Sequence, residues 1–260
     1  MYRVLIYKRT GNLGDAIQTF ALCRLLGERC QGVYRDSPIP DKYQEAPLII
    51  NGYLGASSFP IYAQNPIFAG IHIAAQEHEL VSWIKSSGNI VGTRDPYTQH
   101  LLCGSNVECK MIGCATLTFE RYRGHRSHRY SIDIDSRANT IPLTNDIGFL
   151  PWKEQWELAA IRLEQLRTAE VVYTNRLHIV LPCLAFGTPV EFPINGLTYL
   201  PEKTRLSLLN AINFSYGTPI ELDVSKFSDN YCTFLSSQLN RPLQTVRQPE
   251  CPSPITEYLW

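Results

Sequence analysis

Three loops of this sequence combine residue types that bind anions and move protons. The most telling is VVYTNRLHIVLPCLAFGTPV (171–190), where an apolar strand ends at Thr174-Asn175 and Arg176 and His178 open an otherwise apolar helix. An arginine offers a rigid fork to a carboxylate or phosphate. A histidine can donate a proton near neutral pH, and the free N–H groups of a helix start favour the same negative charge. A lone histidine here would read as a satisfied core residue capping a turn. The arginine two positions earlier favours function, because burying it without an anionic partner is costly. In KRTGNLGDAIQTF (8–20), Gly11 and Gly14 let a ligand approach the backbone, and Asp15 suits the first turn of the following helix. A tight strand–helix turn capped by Asn12 and Asp15 explains the same residues. GNLGD is not GxGxxG, and no acidic residue ends a second strand at the usual offset, so a dinucleotide site is not implied. In GTRDPYTQHLL (92–102), Arg94 and Asp95 follow a third strand and open another helix. Such a neighbouring pair also reads as a structural ion pair or cap.

The elements that must position these loops alternate along the chain. Strands are predicted at YRVLIY (2–7), QGVY, APLIINGY, IFAGIHIA, NIVGT and NVECKMIG. Helices are predicted at GDAIQTFALCRLLGE (14–28), amphipathic with Ile17, Phe20, Ala21 and Leu25 on one face, at QEHELVSWIKSSG and at RDPYTQHLL, with a proline near its start. After residue 130 the strands YSIDID, NTIPLT, EVVYTN and TPVEF alternate with helices over 151–169, 176–187 and 201–212, and a last helix is expected at YCTFLSSQLN before a loose tail. This alternation predicts an α/β protein of two Rossmann-like domains, 1–120 and 131–260, with the C-terminal helix and tail in the second. The Arg/His run ERYRGHRSHRYS interrupts the pattern, and residues 121–130 are read as a basic linker. A cleft between the two sets of strand C-termini is where a ligand is expected.

Lys+Arg and Asp+Glu each number 24, so no global field draws the chain to nucleic acid or an anionic surface. No apolar stretch approaches the roughly 20 residues of a membrane span, and MYRVLIYKRT is neither signal peptide nor anchor, so a cytoplasmic protein is expected. The eight cysteines lack CxxC spacing and are read as buried, reduced thiols. No DxD pair or His/Asp cluster has metal-ligand spacing, so no metal and no cofactor is expected.

GNLGD, TRDPYTQHLL and TNRLHIVLPCLAFGTPV, in this order over residues 2–195, together resemble the polysaccharide pyruvyl transferase family. The resemblance implies a GT-B-like arrangement of the two domains, and transfer of the enolpyruvyl group of phosphoenolpyruvate onto a sugar as a ketal with release of phosphate. Arg176, Leu177 and His178 would contact this donor substrate, Arg94 would add a cation from the other domain, and Gly11, Asn12, Gly14 and Asn175 would line the site. His178 would protonate the methylene or the leaving phosphate, and Asp15 is a candidate base for the sugar hydroxyl. Where many relatives carry Asp-Pro, this chain has Cys114-Ala115. The acceptor would be a polysaccharide or its lipid-linked precursor, and any peripheral membrane contact would come through that acceptor. Arg121, Arg123, Arg126 and Arg129 are read as a solvated linker, as a contact for an anionic acceptor, or least of all as a nucleic-acid patch. Two other functions fit the fold: a nucleotide-sugar glycosyltransferase, for which Glu191 is the only candidate ribose ligand, and a non-catalytic carbohydrate- or anion-binding module.

Overall fold

A computed structural model describes residues 1–8, 10–27, 30–35, 46–55, 63–73, 78–193, 204 and 206–254. Its strands fall into two separate, wholly parallel sheets. The first, in the order β11-β2-β1-β3-β4-β5-β6, contains β1 (Tyr2–Ile6), β2 (Cys30–Tyr34), β3 (Leu48–Leu54), β4 (Pro66–Ile73), β5 (Val91–Thr93), β6 (Cys109–Met111) and β11 (Ser253–Pro254). The second, in the order β10-β9-β7-β8, contains β7 (Arg129–Ile132), β8 (Ile141–Leu143), β9 (Val171–Thr174) and β10 (Val190–Glu191). Parallel strands need helical crossovers, which the sequence supplies as α1 (Leu13–Leu26), α2 (His78–Ser86), α3 (Pro96–Gly104), α4 (Trp152–Thr168) and α5 (Leu177–Phe186). The expected strand–helix alternation and α/β class are thus present. The helix expected over 201–212 appears as α6 (Ser207–Ala211), most of its earlier part lying outside the described residues.

Alternate residues of β1 face two different cores. Val4 and Ile6 join a large cluster, while Leu5 joins a smaller one with Phe68, Val91 and Leu102 beneath α2 and α3. The large cluster is continuous from the first sheet through α1 to α4, α5 and the second sheet, and includes Ile17, Phe20, Trp156, Leu163, Val180 and Val172. Phe20 packs against Trp156 with ring centroids 4.8 Å apart. Helix α1 is therefore enclosed rather than amphipathic, with every residue but Asp15 buried. It lies between one sheet and the helices of the other, so its polar face has no solvent to meet.

The C-terminal stretch also departs from expectation. Helix α7 (Ser225–Leu239) begins earlier than its sequence pattern suggests and packs on the first sheet, not the second. Its buried stripe of Tyr231, Phe234 and Leu235 fits there because Gly92 leaves room: a Cβ at Gly92 would stand 2.7 Å from Phe234. The Tyr231 hydroxyl donates to the Ala69 carbonyl at 3.0 Å, and β11 pairs with β2 where a loose tail was expected. Among the described residues, no helix is long and apolar enough to cross a membrane.

Candidate active site

The carboxyl ends of β7, β8 and β9 meet the loop after β1. At the end of β7, Asp133 adopts φ +55°, a left-handed conformation that a short polar side chain tolerates. Its carboxylate accepts hydrogen bonds from Thr144 Oγ1 at 2.7 Å and Asn145 N at 3.1 Å, in the loop after β8. It also accepts from Arg176 Nε at 2.7 Å. The Asp133 side chain is 9% exposed and that of Arg176 39%. Among the described residues, the two Nη groups of Arg176 make no hydrogen bond. The arginine is thus anchored through Nε and offers its terminal fork outward. Thr174 Oγ1 accepts from the Arg176 backbone N–H at 3.1 Å, fixing the turn into α5.

His178 follows on the first turn of α5, 8% exposed and pressed against α1. A Cβ at Gly14 would come within 2.9 Å of His178 Cβ and 3.1 Å of its Nδ1, so only glycine permits this approach. The neighbouring donors of α1 are largely committed. Asn12 Oδ1 accepts from Gly14 N at 3.0 Å, Asn145 O accepts from Leu13 N at 2.9 Å, and Gly11 O accepts from Ile147 N at 2.9 Å. Asn12 and Asp146 also form an antiparallel bridge. Asn12 thus caps α1 as the cap reading expects, the Asp15 carboxylate meets the Thr10 hydroxyl, and the turn clasps the loop after β8. Asp15, half-buried, accepts from Thr10 Oγ1 at 2.7 Å. The start of α5 is the more open helix terminus: Asn175 is exposed, whereas the Leu177 side chain packs into the core and only its backbone faces the turn.

Arg94 lies elsewhere on the first sheet. β5 is the third strand along from β1, roughly 14 Å away at about 4.8 Å per strand. No hydrogen bond or ion pair joins Arg94 to Arg176 or His178 among the described residues. It is 1% exposed, and its Nε lies 3.4 Å from Asp95 Oδ2. Asp95 caps α3 by accepting from Thr98 N at 3.0 Å, and also meets His72 Nδ1 at 2.7 Å and Ser207 Oγ at 3.1 Å. Burial alone would raise the Asp95 pKa, but the His72 hydrogen bond, Arg94 and the Thr98 N–H together hold it below the ordinary value.

The basic run is built into the second half. Arg126 donates to the carbonyls of Arg167, Ala169, Phe186 and Gly187 and to Thr188 Oγ1, closing the C-terminal ends of α4 and α5. Arg121 pairs with Glu221 at 2.6 Å and Arg129 with Glu170 at 3.2 Å. A cavity of about 820 Å³ opens beside this run, between the C-terminal ends of α1 and α4, lined in part by Arg24, Tyr122, Arg123 and Arg167. It lies at the opposite end of α1 from the Arg176 loop. Glu191, the candidate ribose ligand of the glycosyltransferase reading, is buried on β10 and paired with Arg137.

The sequence singles out Arg176 and His178, which the structure brings to one strand–helix turn, but not Asp133 and Asn145 around them, nor His72 beside Asp95. Asp133 offered only a weak signal, an acidic residue near the carboxyl end of a predicted strand, and His72 offered none. Among the described residues no group of three or more His, Cys, Asp or Glu is placed to hold a metal ion.

Comparison with known proteins bears on this site. The family model described as polysaccharide pyruvyl transferase matches residues 12–190, from the GNLGD turn to β10. No curated protein matches the chain. Among solved structures, an uncharacterised protein of Klebsiella pneumoniae subsp. pneumoniae is 18% identical with a TM-score of 0.52, over 84% of this chain and 93% of that one. A Listeria monocytogenes protein assigned as a UDP-N-acetylglucosamine 2-epimerase is 12% identical with a TM-score of 0.46, over 92% and 88% of the two chains. At these identities the Klebsiella likeness speaks for the fold alone, and the Listeria likeness carries no argument.

Proposed function

The chain belongs to the polysaccharide pyruvyl transferase family and is a transferase, and from that premise we propose that it moves the enolpyruvyl group of phosphoenolpyruvate onto two hydroxyls of a sugar. The observation carrying this reading is the Arg176–Asp133 pair beside His178. Because Nε is taken by Asp133, Arg176 presents its Nη1/Nη2 edge, which matches two oxygens of one carboxylate or phosphate. The first N–H groups of α5 lie beside it and favour the same anion.

In the reaction, a proton adds to the donor's methylene carbon and a sugar hydroxyl bonds to its second carbon. Phosphate then departs with its bridging oxygen, and a second hydroxyl takes its place to close the ketal. The protons lost by the two hydroxyls balance those gained by the methylene and the phosphate. In this reading His178 supplies a proton, either to the methylene or to the leaving phosphate, and Asp15 accepts one from a hydroxyl. Arg176 and the α5 terminus counter the charge that collects on the phosphate as its bond breaks. Arg94, anchored by Asp95, would meet a donor only if the ligand reached along the first sheet's edge. No step calls for a metal or cofactor. The acceptor is a sugar of a polysaccharide or its lipid-linked precursor, with the enzyme working in the cytoplasm where the donor is made.

The test is a thermal-shift titration joined to a phosphate-release assay. Phosphoenolpyruvate should raise Tm, by about 2.7 kcal/mol of stabilisation at a hundredfold excess over Kd, and phosphate should appear when a suitable sugar is added. Stabilisation by a nucleotide sugar and not by phosphoenolpyruvate would transfer the site to the glycosyltransferase reading, and stabilisation by neither would leave a binding module.

A further inference from the structure

Two thiols far from this site are closer than unbonded neighbours need to be. Cys103, in the last turn of α3, and Cys109, the first residue of β6, place their sulfurs 2.9 Å apart. That is inside the ~3.5–4.0 Å optimum for non-bonded heavy atoms and about 0.9 Å beyond an S–S bond. The approach follows from the backbone. Ser105 N and Val107 N both donate to the Leu102 carbonyl, at 3.0 Å each, and Asn106 takes φ +57°, which folds the chain straight back from α3 into β6. On its other side, β6 is fixed by parallel pairing with β5, Cys109 opposite Val91, and is otherwise the sheet's edge.

The two sulfurs differ in access. Cys103 is exposed and Cys109 half-buried, with its Sγ also 3.6 Å from the Gln99 carbonyl. A second thiol pair, Cys23 with Cys30, is buried, so small molecules do not reach it. The expectation that all eight cysteines are buried therefore fails at Cys103, and at the partly exposed Cys109, Cys232 and Cys251.

We infer that Cys103 and Cys109 form a reversible intramolecular disulfide by exchange with a small-molecule disulfide of the glutathione type. The exposed Cys103 thiolate attacks one sulfur of that disulfide, forming a mixed disulfide and releasing one small thiolate. Cys109 then attacks Cys103 Sγ and expels the second thiolate. Two protein thiols are oxidised, one small disulfide is reduced to two thiols, and the two cysteine protons end on those thiols. Burial and the neighbouring Cys103 raise Cys109 to about 12, which disfavours it as the first attacker; once Cys103 is a mixed disulfide, that neighbour's share of the shift is removed and Cys109 lies beside the sulfur it must attack. The closed bond would tie the end of α3 to the outermost strand of the sheet.

The test is alkylation of the intact protein, after acid quench and unfolding, along a series of reduced-to-oxidised glutathione ratios, with peptide mapping by mass spectrometry. Alkylatable thiols should fall from eight to six, the pair lost should be Cys103 and Cys109, and the mass should drop by two hydrogens. Reduction should restore all of them. Cys103→Ser should abolish the loss, Cys109→Ser, unlike the wild type, should stop at a mixed disulfide on Cys103 with no internal bond, and Cys23→Ser should leave the closure intact. The inference is overturned if both thiols stay alkylatable at the most oxidising ratio, if the product stops at a mixed disulfide on Cys103, or if another pair closes first.

Discussion

Arg126 and Arg176 are both loop arginines, one within a basic run and one opening a helix, and the structure uses them in opposite ways. Arg126 gives its two Nη groups to the carbonyl ends of α4 and α5, to Tyr122 O and to Thr188. Among the described residues, Arg176 makes one side-chain hydrogen bond, to Asp133, and its side chain stays partly exposed. Helix C-termini concentrate unpaired carbonyls, so arginines gather there for structural reasons. If Arg176 binds the donor as proposed, what sets it apart is a side chain held at Nε with its Nη groups not hydrogen-bonded among the described residues.

The largest expected effect comes from exchanging the two roles. Arg176→Ala should lower kcat/KM roughly 30-fold to several thousand-fold, the loss of about 2–5 kcal/mol of a charge-assisted contact, with Tm nearly unchanged. Arg126→Ala should do the reverse: leaving five carbonyls and a hydroxyl short of a donor should cost about 3–5 kcal/mol of stability with donor affinity kept in the protein that remains folded. Unfolding melts and phosphate release on both variants decide it. If Arg176→Ala unfolds the chain while Arg126→Ala blocks turnover, the distinction is backwards.

Next comes the buried cluster. The Asp95 carboxyl is held below its ordinary pKa, so its contribution to stability is fully present above the unfolded value near 4 and is lost as pH falls through the lower folded value. Asp95→Asn should flatten the acid limb of a Tm-against-pH curve below about pH 4, and an unchanged limb would remove the cluster from the stability account. A smaller effect is expected at Asp133, which positions Arg176 without touching donor. Asp133→Ala should reduce kcat/KM about 10- to 100-fold, mostly through donor KM, with Asp133→Asn between it and the wild type. Equal activity in all three would mean that Arg176 needs no anchor. The smallest belongs to Arg129, whose pair with Glu170 leaves both side chains about half exposed. Arg129→Ala should change stability by under about 1 kcal/mol, and a larger loss by chemical denaturation would mean that even this part of the basic run is structural.

The same contrast explains what the sequence could reveal. Strand–helix alternation was legible because a run such as YRVLIY can hardly be anything but a buried strand, and the RLH turn because a polar pair opening an apolar helix has few structural uses. Asp133 escaped notice because an aspartate ending a strand resembles any turn residue until its partner, 43 positions on, is known. The hydrophobic period of α7 told which face is apolar but not which sheet that face covers. Asn12 and Gly14 fit a cap and a ligand loop equally well in the sequence, and only the bridge to Asp146 and the pressure of His178 explain what they touch.

The return of α7 and β11 to the first sheet has a consequence for how the chain is made. The strands translated first cannot complete their packing until residues 225–254 have emerged, because Tyr231 and Phe234 cover Ala69 and Gly92 and β11 flanks β2. During synthesis the early half therefore waits with apolar surface uncovered while the second sheet assembles. Such sequence-distant closure slows folding and lengthens the interval in which a nascent chain can aggregate.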